Sequence, residues 1–227
     1  MITARSVSGT RSQRFLLSLM LVLATAISSP LFAQRAGIQL NTGEPIPKNF
    51  KSWSLFLVCN PLWLGTDEAA KARMKSLFDA FSAFSRTIGS DNLAVWPTTR
   101  KAGGPEAYNA DLAGDYCETY RLSANDSPHV VLTTAYPMKA GAPGDFSAIS
   151  LNGLNTENMT KLLGTISDRV RASDLDKQQL ASDRFWRRWT QILQDSVTAM
   201  GHLAKAIKFT VDTKLMKIKF DGEKLSG

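Results

Sequence analysis

Apolar residues along this chain fall into two kinds of run. The first kind is short and continuous: Ser52–Cys59 (SWSLFLVC), Asn92–Thr99 (NLAVWPTT), Val130–Leu132 within Asn125–Thr134 (NDSPHVVLTT) and Phe146–Gly153 (FSAISLNG). Blocks of this length, bounded by turn residues, predict buried strands. Asn60-Pro61 closes the first, and Pro97 is expected to end the second because proline cannot donate to a sheet ladder. The second kind recurs at helical spacing. Met74, Leu77, Phe78, Phe81, Phe84 and Ile88 predict a helix that stops at Gly89. Its expected N-cap is Thr66, with Asp67 and Glu68 in a first turn that favours negative charge. Leu112, Tyr116, Cys117 and Tyr120 share one face of a weaker helix over Asn109–Leu122, interrupted by Gly114. Thr156 is expected to cap a third, with Met159, Leu162, Leu163, Ile166 and Val170 on one side. The order β-α-β-α-β-β-α predicts an α/β fold, a parallel element with helices on both faces closed by an antiparallel hairpin.

After residue 172 the pattern changes. Phe185, Trp189, Ile192, Leu193, Val197, Met200, Leu203 and Ile207 follow a 3.6-residue period, which predicts one long helix over Asp174–Ala206. Alternation then takes over. Ile207, Phe209 and Val211 share a face, as do Met216, Ile218 and Phe220, while Lys208, Lys217 and Lys219 take the other. This predicts a hairpin around Asp212-Thr213, apolar on one side and basic on the other. Such an extension either packs on the core and covers an edge strand or docks a partner or an anionic surface. Trp186, Arg187 and Arg188, in RFWRRW, flank the helical stripe and are the candidate interfacial residues there.

Two stretches lie outside this pattern. Residues 1–33 carry Arg5, Arg11 and Arg14, no acid, the apolar run Phe15–Ile27 and Pro30 before Ala33. That is the layout of a secretory signal peptide, and its thirteen apolar residues are few for a membrane span, which takes about 20. The chain is therefore expected to be exported, periplasmic or secreted, with a retained N-terminal anchor as the alternative. Residues 34–49 are polar, with Gly43, Pro45 and Pro47, and read as an extended lead-in.

Charge sharpens the division. The formal charge of the 227 residues is +7; cleavage after Ala33 would remove three arginines and leave +4. Lys177–Gly227 holds 10 basic and 5 acidic residues, so the excess sits in the tail. A solvated face and a weak contact with a polyanion or an anionic membrane surface both fit; a nucleic-acid partner is not expected. Two cysteines, Cys59 and Cys117, could bond in an oxidising compartment; alternatively Cys59 is a lone reactive thiol or a buried apolar group.

The element order over Phe50–Ala172, together with Ser127-Pro128 before the third strand, resembles the thioredoxin-like superfamily. In that family a proline, usually cis, precedes the third core strand and faces the redox site. The resemblance thus implies a loop of Ser127, Pro128 and His129 beside a redox corner. Its redox members carry Cys-x-x-Cys where the first core strand enters its helix, at a helix N-terminus that lowers a thiol pKa. Here that stretch is CNPLWLGTDEAA, with no cysteine in Trp63–Thr66. The departure implies a non-catalytic binding or scaffold protein of the cell envelope, with an unidentified protein or peptide partner and no cofactor. Two alternatives stand: a thiol-disulfide redox protein using Cys59, with or without Cys117, and peripheral binding to a membrane or polyanion through the tail, residues 173–227.

No other constellation of residues points to catalysis. His129 is a candidate acid or base only by its place next to Pro128; His202 has no second ligand nearby, and two histidines with two scattered cysteines give no metal-ligand spacing. Phosphate-loop, nucleophile-elbow and zinc-protease motifs are missing from the sequence. Trp63 and Trp96, with Pro128, are candidates to line an apolar groove at the corner; the competing reading places both tryptophans in the core.

Overall fold

The computed structural model describes residues 37–41, 43–100, 103–172 and 182–222. The leader expected over residues 1–33 lies outside them, as do residues 173–181 at the start of the expected tail helix. Seven strands run in chain order β1 (Gly37–Asn41), β2 (Ser52–Leu57), β3 (Asn92–Thr98), β4 (His129–Thr133), β5 (Phe146–Ser150), β6 (Lys208–Asp212) and β7 (Lys217–Asp221). They form one mixed sheet in the order β1-β3-β2-β4-β5-β6-β7. β1 and β2 lie parallel to β3, and every later neighbour pair is antiparallel. Four α-helices lie among the described residues: α1 (Glu68–Thr87), α2 (Ala110–Thr119), α3 (Thr156–Ala172) and α4 (Ser182–Ala199).

The period-2 geometry of the strands divides the core into two layers. Phe56, Trp96, Val130, Leu132, Ile149, Phe209 and Val211 pack in one cluster with Leu77 and Phe81 of α1, Leu162 and Leu163 of α3, and Trp186 and Trp189 of α4. The alternate residues Leu55, Leu57, Leu93, Val95, Val131 and Ala148 pack on the other side with Leu112, Tyr116 and Cys117 of α2. Among the described residues, one face thus carries α1, α3 and α4 and the other carries α2. Strands buried on both sides cannot alternate in polarity, which is why β2 to β5 appear as solid apolar blocks.

Several boundaries differ from the sequence expectation. The lead-in contains a strand: β1 pairs with β3 from Gly37↔Ala94 to Asn41↔Thr98. Only Leu40 of β1 is fully buried, so an edge strand of five residues left little apolar signal. Pro97 lies inside β3 and does not end it. The β2 ladder stops at Val95, so the proline sits where the strand has one neighbour and a missing donor is tolerated. Asp67, and not Thr66, caps α1: its carboxylate accepts from Ala70 N at 2.8 Å. Asn155 takes the place expected of Thr156, accepting from Asn158 N at 2.9 Å, while the Thr156 hydroxyl donates to Ser76 Oγ at 2.6 Å and ties α3 to α1.

The tail departs most. Its helix ends at Ala199, not Ala206. Gly201 adopts φ 61°, which stops the helix, and a 3-10 turn over Gly201–Ala206 leads to β6. Leu203 and Ile207 kept the helical spacing only by coincidence. The hairpin turns on Lys214-Leu215, with Thr213 N donating to Met216 O at 2.9 Å, while Asp212 pairs with Lys217 inside the ladder. β6 adds to β5 antiparallel, so the extension continues the sheet. Trp189 fastens it further, its indole N–H donating to Ser147 Oγ of β5 at 2.6 Å.

Candidate functional site

The corner where β2 ends gathers most of the residues singled out from the sequence. Cys59 follows β2 by two residues and Cys117 lies on the sheet-facing side of α2. The two are joined by a disulfide, with Cα atoms 5.8 Å apart. The Cys59 amide donates to Ser127 Oγ at 2.9 Å and the Asn60 amide to the same oxygen at 3.3 Å. Ser127 is buried, and the Ser127-Pro128 peptide is cis. Pro128 O in turn accepts from Leu151 N at 2.8 Å. On the far side, the Tyr108 hydroxyl accepts from Val58 N at 2.7 Å and donates to Phe56 O at 3.3 Å. Burial holds that phenol well above its usual pKa, against the smaller effect of the Val58 amide, so it stays neutral and can keep donating. The end of β2 is therefore fixed by a covalent bond and by hydroxyls from two other segments.

Past Cys59 the chain makes a 3-10 turn over Pro61–Leu64, capped by Asn60, whose side chain accepts from Leu62 N at 3.0 Å. This turn leaves Leu62 78 % exposed. Arg73 of α1 donates to Leu62 O at 3.2 Å and lies over the Trp63 ring at 5.8 Å. Asn60, Leu62, Trp63 and Arg73 form one wall of a groove of about 530 Å³, and Asn152 and Leu154 belong to the other. Trp96 takes no part in it. Its ring is fully buried among Phe78, Phe81 and Tyr108, and Pro128 is buried as well. The groove expected from Trp63, Trp96 and Pro128 is thus built from Trp63 and Leu62 instead. Trp96 belongs to the core because its position on β3 faces α1.

The surroundings of the disulfide do not favour thiol chemistry. The cleft around it, about 740 Å³, is lined by Asp111, Asp115 and Glu118 as well as Arg121. Three carboxylates against one guanidinium disfavour a thiolate. Cys59 also precedes the 3-10 turn and does not open α1, so the helix dipole that would lower a thiol pKa is not directed at it.

His129 is buried in β4, and its Nε2 lies 2.8 Å from Ser123 O. Burial lowers its pKa, against smaller opposing effects of the Ser123 carbonyl and the Asp126 charge. The neutral ring with Nε2–H donating fits this contact, so His129 anchors a loop. Tyr120, at the C-terminal end of α2, is pushed up to about 12 mainly by burial, with a hydrogen bond from Thr133 opposing.

Of the candidate tail residues, Trp186 is 1 % exposed and lies in the core, not at the surface. The helical stripe is wider than the sequence pattern suggested and includes it. Arg187 and Arg188 are exposed. Lys208 pairs with Asp126 at 3.5 Å and Lys217 with Asp212 at 2.6 Å, while Lys219 faces Thr210 across the hairpin. The three lysines border a second groove, about 1020 Å³, that runs between the hairpin and the end of α2 and holds acids and bases together, Asp126, Asp145 and Arg121 among them.

Among the described residues no group of three His, Cys, Asp or Glu side chains is placed to hold a metal, and no helix is long and apolar enough to cross a membrane. Sequence reasoning missed Tyr108, Arg73 and the acceptor role of Ser127; none carries a local motif, because each acts on a segment distant in sequence. Fold and site together define a mixed α/β protein with a seven-stranded sheet and a disulfide-fastened corner. Comparison with protein-family models, curated proteins and solved structures finds no match for this chain.

Proposed function

We propose that this chain is an exported, non-catalytic binding or scaffold protein built on a thioredoxin-like core. The strand order and directions of β1 to β5, with an Xaa-Pro step beside the end of β2, support the resemblance. The observation that carries the functional reading is the occupancy of the corner. Where redox members of that superfamily present two thiols at a helix start, this chain presents Pro61-Leu62-Trp63-Leu64, and both of its cysteines are already committed to a bond between β2 and α2. The exposed Leu62 beside Trp63 offers apolar surface to a protein or peptide. The basic tail gives less footing for a polyanion, since two of its strand lysines are held by acids of the same chain.

The test is a thiol count on the exported protein, by alkylation and intact mass with and without reductant, combined with a disulfide-reduction assay on insulin. The expected result is no alkylation before reduction, a mass that also locates the leader cleavage, and no turnover. Turnover that disappears in Cys59→Ser would replace this reading with the thiol-disulfide alternative.

A further inference from the structure

The groove beside Leu62 is bounded by two turns and by α1. One turn is the 3-10 turn Pro61–Leu64 past the end of β2; the other follows β5, where Leu154 N donates to Leu151 O at 3.2 Å. Among the described residues that line the groove, none belongs to a strand. An extended peptide therefore cannot be held there by adding to a ladder, and recognition has to come from side chains.

Those side chains are one-sided in charge. Arg73 is the single charged group among the described residues lining the groove. On the same helix Lys71 is paired with Glu68 and Lys75 with Asp79, both at 2.7 Å, whereas Arg73 makes no ion pair among the described residues. Of the five N–H donors of a guanidinium, one reaches Leu62 O at 3.2 Å, and the group lies over the Trp63 ring, 5.8 Å from its centroid. These two contacts hold the planar fork in place before a ligand arrives, so little freedom is left to lose on binding. The neighbouring amides act in the same sense. Asn60 and Asn155 use their side-chain oxygens to accept from Leu62 N and Asn158 N, which leaves their NH2 groups as donors. The rest of the lining is apolar, with Leu62 exposed, Trp63 half-buried, and Leu154 and Met159 buried.

A cation stacked on an apolar ring calls for a ligand with a carboxylate directly beside an apolar group. In an extended peptide adjacent side chains point to opposite faces, and those on one face stand about 7 Å apart. An internal Asp or Glu thus brings no apolar side chain to the same spot. The last residue of a chain does, because its carboxylate and its side chain leave the same Cα. Resting on the binding reading above, we propose that this groove captures the C-terminal residue of a partner protein. The α-carboxylate forms a bidentate pair with Arg73, and an apolar last side chain lies against Leu62 and Trp63.

The probe is acetyl-Ser-Gly-Ser-Gly-Leu, as the free acid and as the C-terminal amide, titrated into the isotope-labelled exported chain. The NMR signals of the Arg73 side chain and the Trp63 indole are followed. The free acid is expected to bind with a dissociation constant on the order of 1 mM or tighter, and the amide at least tenfold more weakly. The amide of acetyl-Ser-Gly-Glu-Gly-Leu, whose carboxylate is internal, should bind no better than the neutral amide. Arg73→Gln should weaken the free acid at least tenfold and leave the amide unchanged; Arg73→Lys, which keeps the charge without the fork, should fall between. Leu62→Ser should weaken acid and amide alike. Both side chains are exposed, near-ultraviolet circular dichroism checks the variants' folding, and the acid–amide comparison on wild type needs no variant. Acid and amide binding alike, with both lost in Leu62→Ser, overturns the proposal and leaves the binding reading standing. Neither peptide shifting these signals at about 10 mM overturns both.

Discussion

The middle of the sheet and its far edge are built by different rules. Every residue of β3, β4 and β5 is buried, because helices or loops cover both faces. β6 alternates between half-buried and buried positions, and no residue of β7 is fully buried. In the middle, side chains on both faces stabilise the strand; at the edge, α4 covers one face and solvent meets the other. The comparison shows that a strand's polarity pattern records its covering layers and not its importance. It also shows how the extension belongs to the molecule. The apolar face of the hairpin is continuous with the cluster that holds Phe56 and Trp96, and only its charged face is external.

The largest test of that continuity is Trp189→Ala. The indole is buried in the shared cluster and donates to Ser147 of β5. Losing a buried tryptophan of this kind costs about 3–5 kcal/mol. If the extension and the middle strands are one cooperative unit, the whole protein should lose that stability in a single urea transition. Two transitions, with the earlier one alone shifted, would mean that α4 and the hairpin fold separately.

A smaller effect distinguishes the two regions by pH. His129 lies at the boundary, in β4 but bordering the open groove beside the hairpin. Burial depresses its pKa in the folded protein, whereas the unfolded chain titrates near 6.5. A folded pKa below the unfolded one means that unfolding takes up a proton. Its contribution to stability is full above the unfolded value and is lost as pH falls through it toward the folded value. Denaturant midpoints should therefore drop between about pH 7.5 and 5.5. In His129→Gln the curve should start lower, for want of the same Ser123 contact, but run flatter across that window. An unchanged slope would place the proton uptake elsewhere.

Much of this fold was legible because its strongest signals are local. Solid apolar blocks marked β2 to β5, the 3.6-residue stripe marked α1 and α3, and alternation marked the hairpin. What escaped was set by distant partners. β1 has little burial of its own and exists because β3 offers an edge. Pro97 looked like a strand end because its tolerance depends on where β2 stops. Trp186 looked like a surface residue until α4 settled over two strands and a third helix. The corner was half legible. Its cysteines and Ser127-Pro128 could be named, but the Cys59–Cys117 distance, the Ser127 contacts and the inward turn of Trp96 are tertiary facts. Leu62 was not singled out, since a leucine beside a tryptophan gives no sign of exposure before the 3-10 turn is known.

The smallest expected effect lies on the exposed face of the hairpin. Lys217 and Asp212 stand opposite each other in the ladder, 2.6 Å apart, with the lysine side chain 62 % exposed. Water screens such a pair, so Lys217→Ala should lower stability by no more than about 0.5 kcal/mol. Salt is the sharper probe. At about 1 M ionic strength the Debye length falls to about 3 Å, and the gap between wild type and variant should close. A Lys217→Ala cost that persists in salt would mean that the lysine's aliphatic stem covers the apolar edge of β7. The edge would then resemble the middle of the sheet, with both faces stabilised by packing, and charge would have only a minor part in setting its order.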